Sequence, residues 1–285
     1  MTAAHLHVPE SSIEPVVPAG RRLAVTLMNA VPSSLASQMR SSATVSRFVR
    51  PMVNRLVPNQ RTEIAVRAGL ARGLHMQIYP SHEKFYWTGM HEQEVQDAFA
   101  SLIRSGMVVW DIGGHIGFTA MMASRLVGVE GQVHVFEPDE VNRERLVANL
   151  QLNNATNVVV HSEAVAWDDG TAFYHRHESS FMGSVDANAN SGVPVDCASL
   201  DGLMQTLGVP DVIKIDVEGL EVEVLKGGSR LLKEHAPRLI VEFSDANTFA
   251  EAAQAFQSYH FQRIAARHWT MIKPAKLLLP ATDSR

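Results

Sequence analysis

Val108-Val109-Trp110-Asp111-Ile112-Gly113-Gly114-His115-Ile116-Gly117-Phe118 constrains this chain more than any other stretch. An apolar run ends in an acid, breaks into a glycine-rich turn, and restarts with the helix-compatible Thr119, Ala120, Met121 and Met122. That is a strand, a tight turn and a helix, the opening unit of a nucleotide-binding α/β domain. Glycine belongs where backbone turns sharply or approaches a ligand closely. The dehydrogenase spacing, glycine at positions one, three and six, fails here, because ending it on Gly117 would need glycine at Ile112. A structural loop that happens to hold two glycines is the plain alternative.

Downstream, short apolar runs and amphipathic segments alternate. Strands are expected at 107–111, 133–136, 157–161, 212–216 and 238–243, with helices at 117–127, 139–153, 200–207 and 248–258. Leu220, Val224 and Leu231 read as one further helix, and Asp139 as an N-cap. Repeated strand–helix units imply a parallel sheet, since each crossover needs a helix to return the chain. Segments 261–265 and 268–272 read as a closing hairpin that puts one antiparallel strand into that sheet. Upstream, Leu74, Met76 and Ile78 alternate as a half-buried strand, and a helix through Val95, Phe99 and Leu102 stops at Gly106. Residues 163–198 depart from the pattern: they are polar, only weakly strand-like, and long enough to be a functional insertion.

Residues 1–72 form a separate region of arm and short helices, broken by prolines at 9, 15, 18, 32, 51 and 58, and 73–285 form the main domain. Residues 1–80 hold nine Arg and three Glu, a net of +6, against −5 for the whole chain, so the remainder carries −11. These arginines are dispersed and lack interleaved aromatics, which suits a solvated helical face and argues against nucleic acid. An Arg- and Ser-rich, acid-poor leader also fits an organellar transit peptide. No apolar run reaches the roughly 20 residues of a membrane span. The single cysteine, Cys197, allows no intrachain disulfide and suits a reducing, cytoplasmic setting.

Ligands of parallel α/β sheets bind beyond the carboxyl ends of the strands. There lie Asp111 with its glycine turn, then Phe136-Glu137-Pro138, then Ser162-Glu163-Ala164. The Glu137 carboxylate suits the two hydroxyls of an adenosine ribose, or else the start of the following helix. Glu163 and Ala164 stand where an adenine edge would be met. The 212–216 strand holds a lysine in an apolar run and leads into Asp216-Val217-Glu218-Gly219, an expensive pattern for a purely structural strand.

With Asp111-x-Gly113-x-x-x-Gly117, Phe136-Glu137-Pro138, Lys214-x-Asp216-x-Glu218-Gly219, Leu225-Lys226-Gly227 and the upstream Gly89-Met90-His91-Glu92, residues 73–266 resemble the FkbM family of S-adenosylmethionine (SAM) methyltransferases. The resemblance implies a Rossmann-like class I methyltransferase fold, SAM as cofactor, and O-methyl transfer to a hydroxyl of a sugar, glycolipid or secondary metabolite. It assigns Asp111, Gly113, Gly117 and Glu137 to the cofactor, where Gly114 of the same turn and Glu163 and Ala164 at their strand end are also expected, and Asp216 and Glu218 to the active-site edge. Asp216 and Glu218 would share a face of an extended chain. His115 and His91 depart from the family's usual Asn and Tyr, and each is a candidate base for the poorly acidic acceptor hydroxyl. Asp216, Glu218 and Glu242 could instead hold a Mg²⁺-type ion, but no residue is assigned to a metal. The expected partner is a small-molecule or glycan acceptor, docked between the insertion and 85–92 on exposed Phe85, Tyr86, Trp87, Phe173, Tyr174 and Phe181. A non-catalytic binding protein and a nicotinamide oxidoreductase are the competing readings.

Overall fold

A computed structural model describes residues 60–176, 183–186 and 192–273, with the backbone alone at 176 and 183–186. The chain divides into two compact units, residues 1–62 with 79–82, and residues 63–78 with 83–285. Residues 1–59, most of the expected region of arm and short helices, lie outside the described residues, as does Phe181. The strand β1 (Thr62–Ala65), which the sequence reading did not anticipate, pairs with β2 (His75–Ile78). Two helices follow, α1 (Lys84–Thr88) and α2 (Gln93–Leu102).

The central sheet is built from β3 (Val108–Ile112), β4 (Gln132–Phe136), β5 (Val158–His161), β10 (Val212–Ile215), β11 (Arg238–Glu242), β12 (His260–Arg263) and β13 (His268–Ile272). Its order is β12-β13-β11-β10-β3-β4-β5. β3, β4, β5, β10 and β11 are mutually parallel, and β13 runs antiparallel to both of its neighbours. This is the Rossmann-like class I methyltransferase arrangement, with the antiparallel strand supplied by the closing hairpin. The strand order reverses at β3, between β4 and β10, which makes the carboxyl ends of β3 and β10 the switch point where ligands settle.

The strands read as apolar runs because both faces are covered. Trp110, Ile112, Ile213, Ile215, Leu239 and Val241 point into one cluster, and Val109, Val133, Val135, Val212 and Ile240 into the other. Each such side chain contributes about 1.5–3 kcal/mol by leaving water. The second cluster also takes α3 (Phe118–Val127), eight of whose ten residues are buried, and Leu146 and Leu150 of α4 (Glu140–Leu152). Asp139 caps α4, accepting from Asn142 N at 2.9 Å, as its sequence position predicts. The opposite face packs α5 (Leu200–Leu207), α6 (Glu221–Lys226), α7 (Ser229–Glu234) and Ala252 of α8 (Ala246–Ala255). The single helix expected through Leu220 and Leu231 is therefore two.

The polar insertion is an ordered second sheet. β6 (Ala164–Ala166), β7 (Gly170–Arg176), β8 (Gly183–Asp186) and β9 (Val193–Ser199) associate in the order β6-β9-β7-β8. Among the described residues no helix is long and apolar enough to cross a membrane.

Candidate active site

A cavity of about 260 Å³ opens at the carboxyl ends of β3, β4, β10 and β11. Of the residues expected at the site, Gly113, Gly114, His115, Glu137, Glu163, Ala164, Asp216 and Glu218 line it. Asp111 and Gly117 do not. Asp111 is fully buried, and β3–β10 register sets it directly opposite Lys214. Its Oδ2 accepts from Thr119 Oγ1 at 2.6 Å, while Oδ1 makes no hydrogen bond and lies 3.6 Å from Lys214 Nζ. Burial raises the Asp111 carboxyl above its ordinary range, against the pull of Lys214 and Thr119. Asp111 therefore acts through Lys214, and Gly117 serves as the left-handed N-cap of α3.

Glu137 anchors one end of the cavity. Its Oε2 accepts from His115 N at 2.8 Å and its Oε1 from Asp139 N at 3.0 Å. Each oxygen keeps a second lone pair for a ligand hydroxyl. Burial pushes this carboxyl up to about 7, only partly opposed by the two N–H donors and Arg143. Phe136, Ala164 and Val165 supply apolar wall beside it, and Glu163 stands at the rim, 4.0 Å from His161 Nδ1.

Charge gathers at the other end. Lys214, 3% exposed, reaches along β10 to Asp216 Oδ2 at 3.1 Å and donates to Gly113 O at 3.2 Å. Burial disfavours its ammonium, but Asp216, Asp111 and Glu92 outweigh that and hold it charged. Asp216 still sits above its ordinary value, chiefly through burial, with Glu242 and Glu92 adding to the shift. Glu218 is raised by partial burial and by Asp216 and Glu242. The extended face expected for Asp216 and Glu218 is not formed: β10 ends at Ile215, and Glu218 is left-handed with φ 52°. The chain turns there because Gly219, φ 112°, lets it swing into α6. Both carboxylates reach the cavity by that turn.

The cavity also takes in Tyr86, His91 and Glu242, all candidates from the sequence, and adds Glu92 and Arg267, to which spacing assigned no role. Tyr86 of α1, 4% exposed, meets His115 Nδ1 at 3.0 Å and packs on His91 and Phe118. Glu92 and His115 also adopt left-handed backbone, φ 47° each, so three strained non-glycine positions, counting Glu218, surround one cavity. Burial alone would raise Glu92, yet the hydrogen bond from His91 and the charges of His91, Lys214 and His268 bring it down to about 2. Glu242 and Arg267 complete that wall. Of the aromatics expected to dock an acceptor, Tyr86 and Tyr174 line the cavity. Phe85 and Trp87 do not line it and pack, partly buried, against the apolar cluster that also holds Tyr86.

The sequence matches the methyltransferase FkbM domain family over residues 111–264, more than half of the 285-residue chain. It is 28% identical over 144 residues to the hexuronic acid methyltransferase AglP of Haloferax volcanii, a match covering 50% of this chain and 58% of that protein. The chain thus spans little more than half the length of this curated relative. Among solved structures, methyltransferase FkbM from Methylobacillus flagellatus KT aligns over 61% of this chain and 50% of that one, with 18% identity and a TM-score of 0.43. A precorrin-6y C5,15-methyltransferase from Geobacter metallireducens GS-15 aligns over 64% and 86%, with 15% identity and a TM-score of 0.42. On the strength of the family match, which begins at Asp111 on β3 and takes in the glycine turn, Glu137 and the Lys214–Glu218 segment, the chain belongs to the methyltransferase FkbM domain family.

Proposed function

We propose that this chain transfers a methyl group from SAM to a hydroxyl of a sugar-type acceptor. One observation carries the reading: a single cavity joins a diol-competent carboxylate, Glu137, to a carboxylate-rich wall of Asp216, Glu218, Glu242 and Glu92. Glu137 would hold the ribose, the backbone of Gly113 and Gly114 would border the methionine portion, and Phe136, Ala164 and Val165 would face the adenine. SAM supplies an electrophilic methyl on sulfonium, already a good leaving group. The protein has then to align the acceptor oxygen and take its proton.

Asp216 and Glu218 suit that second task. Both carboxyls are raised above their ordinary range, chiefly by burial and then by neighbouring carboxylates, which strengthens them as proton acceptors. Lys214 holds Asp216 in place. Glu218, exposed at the mouth, is the carboxylate an entering acceptor meets first. His115 borders the same space, with Nδ1 committed to Tyr86. The carbohydrate named for the Haloferax volcanii relative supports a sugar-type acceptor.

The test is calorimetric titration of the full chain with SAM and, separately, NAD, followed by labelled-methyl transfer to a panel of sugar glycosides. SAM binding without NAD binding is expected, with Glu137→Ala weakening it by about 1–3 kcal/mol, the scale of a lost hydrogen bond to a charged group. Unchanged SAM affinity in Glu137→Ala would remove the ribose assignment. SAM binding without transfer to any glycoside would remove the acceptor class.

A further inference from the structure

Three side chains from separate elements converge beside this cavity. Glu92 precedes α2, Glu242 ends β11 and His268 begins β13. One ligand atom from each lies within 4.8 Å of the other two, a spacing that no other trio of His, Cys, Asp or Glu among the described residues shares. The sheet itself fixes two of them, because β11–β13 register places Glu242 directly opposite His268.

The surroundings prepare these atoms for an ion. Glu242 Oε1 is held by Arg267, which leaves Oε2 turned toward His268. Glu92 Oε1 is held by His91 Nε2 at 3.1 Å. Outer partners of this kind orient ligating carboxylates. The third member already faces the same space: His268 Nε2 is shielded from solvent and pairs with Glu242 Oε2 at 2.9 Å, so one imidazole nitrogen and one carboxylate oxygen stand side by side.

We propose that Glu92, Glu242 and His268 bind one first-row divalent metal ion. Two carboxylates and an imidazole suit Mn²⁺, Fe²⁺, Co²⁺ or Zn²⁺ better than the all-oxygen preference of Mg²⁺ or Ca²⁺. Glu242 lies within the family match at 111–264, while Glu92 and His268 lie just outside it on either side. Three protein ligands leave positions open for acceptor oxygens, and a bound hydroxyl there would lose its proton more readily. That role rests on the methyl-transfer reading; the metal site does not.

The experiment is titration of the chelator-treated full chain with Mn²⁺, following the electron paramagnetic resonance of free Mn²⁺, beside a SAM titration of the same samples. One Mn²⁺ per chain is expected, with affinity falling at least about tenfold in Glu92→Gln and in His268→Ala. Should either variant fail to fold, Glu242→Gln reads the same site. No stoichiometric Mn²⁺ binding overturns the proposal, as does binding that these substitutions leave unchanged. Intact SAM binding beside absent Mn²⁺ binding overturns the metal site alone, whereas absent SAM binding strikes the methyl-transfer reading alone.

Discussion

A β-carbon on Gly113 would overlap the carbonyl oxygen of Asp216. One residue on, a β-carbon on Gly114 would overlap the Val135 side chain. The glycines of the turn are thus required by the protein's own packing, before any cofactor enters. Gly113 also holds φ 82°, where a side chain is strained. Gly113→Ala is expected to destabilise the fold by about 2–4 kcal/mol, from backbone strain and displacement of the Asp216 backbone just beyond β10. Denaturant unfolding with an unchanged m-value would measure it. A loss under about 1 kcal/mol would mean that the turn relaxes freely.

Glu137 predicts a proton linkage. Its folded-state carboxyl titrates near 7, against an ordinary 4.5. Between those values the unfolded chain has released the proton and the folded chain keeps it, so Glu137 lowers stability as pH rises from about 4.5 to 7. Ribose hydroxyls donate to the charged form. SAM binding at pH 6 should therefore expel up to one proton, and affinity should rise from pH 5 to 7 before levelling. Calorimetry at pH 6 in two buffers of different ionisation enthalpy reads the released proton directly. Equal heats in both buffers would take Glu137 out of the ribose site.

The parallel core was legible because β3, β10 and β11 are covered on both faces and so carry mainly apolar runs, broken only by the site residues Asp111 and Lys214 and the end residues Arg238 and Glu242. Helix α5 falls on the expected 200–207, and the structure closes it with Ser199, whose Oγ accepts from Gly202 N at 3.0 Å, and with Gly208. The second sheet was not, since β9 is largely exposed and its burial scarcely alternates. The break between α6 and α7 rests on Gly227, where a β-carbon would overlap Ala166 O, a contact with a strand about 60 residues earlier in the chain. Asp111 illustrates the limit at the site. Spacing placed it at a strand end, but only the pairing register sets it opposite Lys214 and outside the cavity. The Glu92–Glu242–His268 cluster depends on the same kind of long-range register.

A buried ion pair secures the wall that carries Tyr86. Arg145 of α4 donates Nη1 to Glu83 Oε1 at 2.9 Å and Nη2 to Oε2 at 2.6 Å, with both side chains at most 3% exposed. Removing one partner strands the other charge, so Glu83→Ala is expected to cost about 3–5 kcal/mol. Glu83→Leu with Arg145→Met should cost clearly less than the sum of the single changes. A double-mutant cycle by chemical denaturation measures the coupling, and strict additivity would show that the pair contributes packing only.

Lys214 is the one cation that touches both Asp111 and Asp216 among the described residues, at 3.6 and 3.1 Å. Asp111 Oδ1 has no hydrogen bond to fall back on. Lys214→Met would leave the buried Asp111 carboxylate and the partly buried Asp216 carboxylate without their shared cation, at a cost of about 3–5 kcal/mol near neutral pH. Both acids already sit above their ordinary range, and loss of the ammonium pushes them higher. In the variant, the folded chain then holds protons that the unfolded chain has released, so its stability falls as pH rises above the ordinary carboxyl range. The gap to the wild-type chain should therefore be wide at pH 8 and narrow at pH 5. Adding Asp216→Asn should recover part of the loss at pH 8, because one of the two charges is gone. Unfolding curves at the two pH values decide the matter: an equal deficit at both would make Lys214 a packing residue, with no electrostatic hold on Asp216.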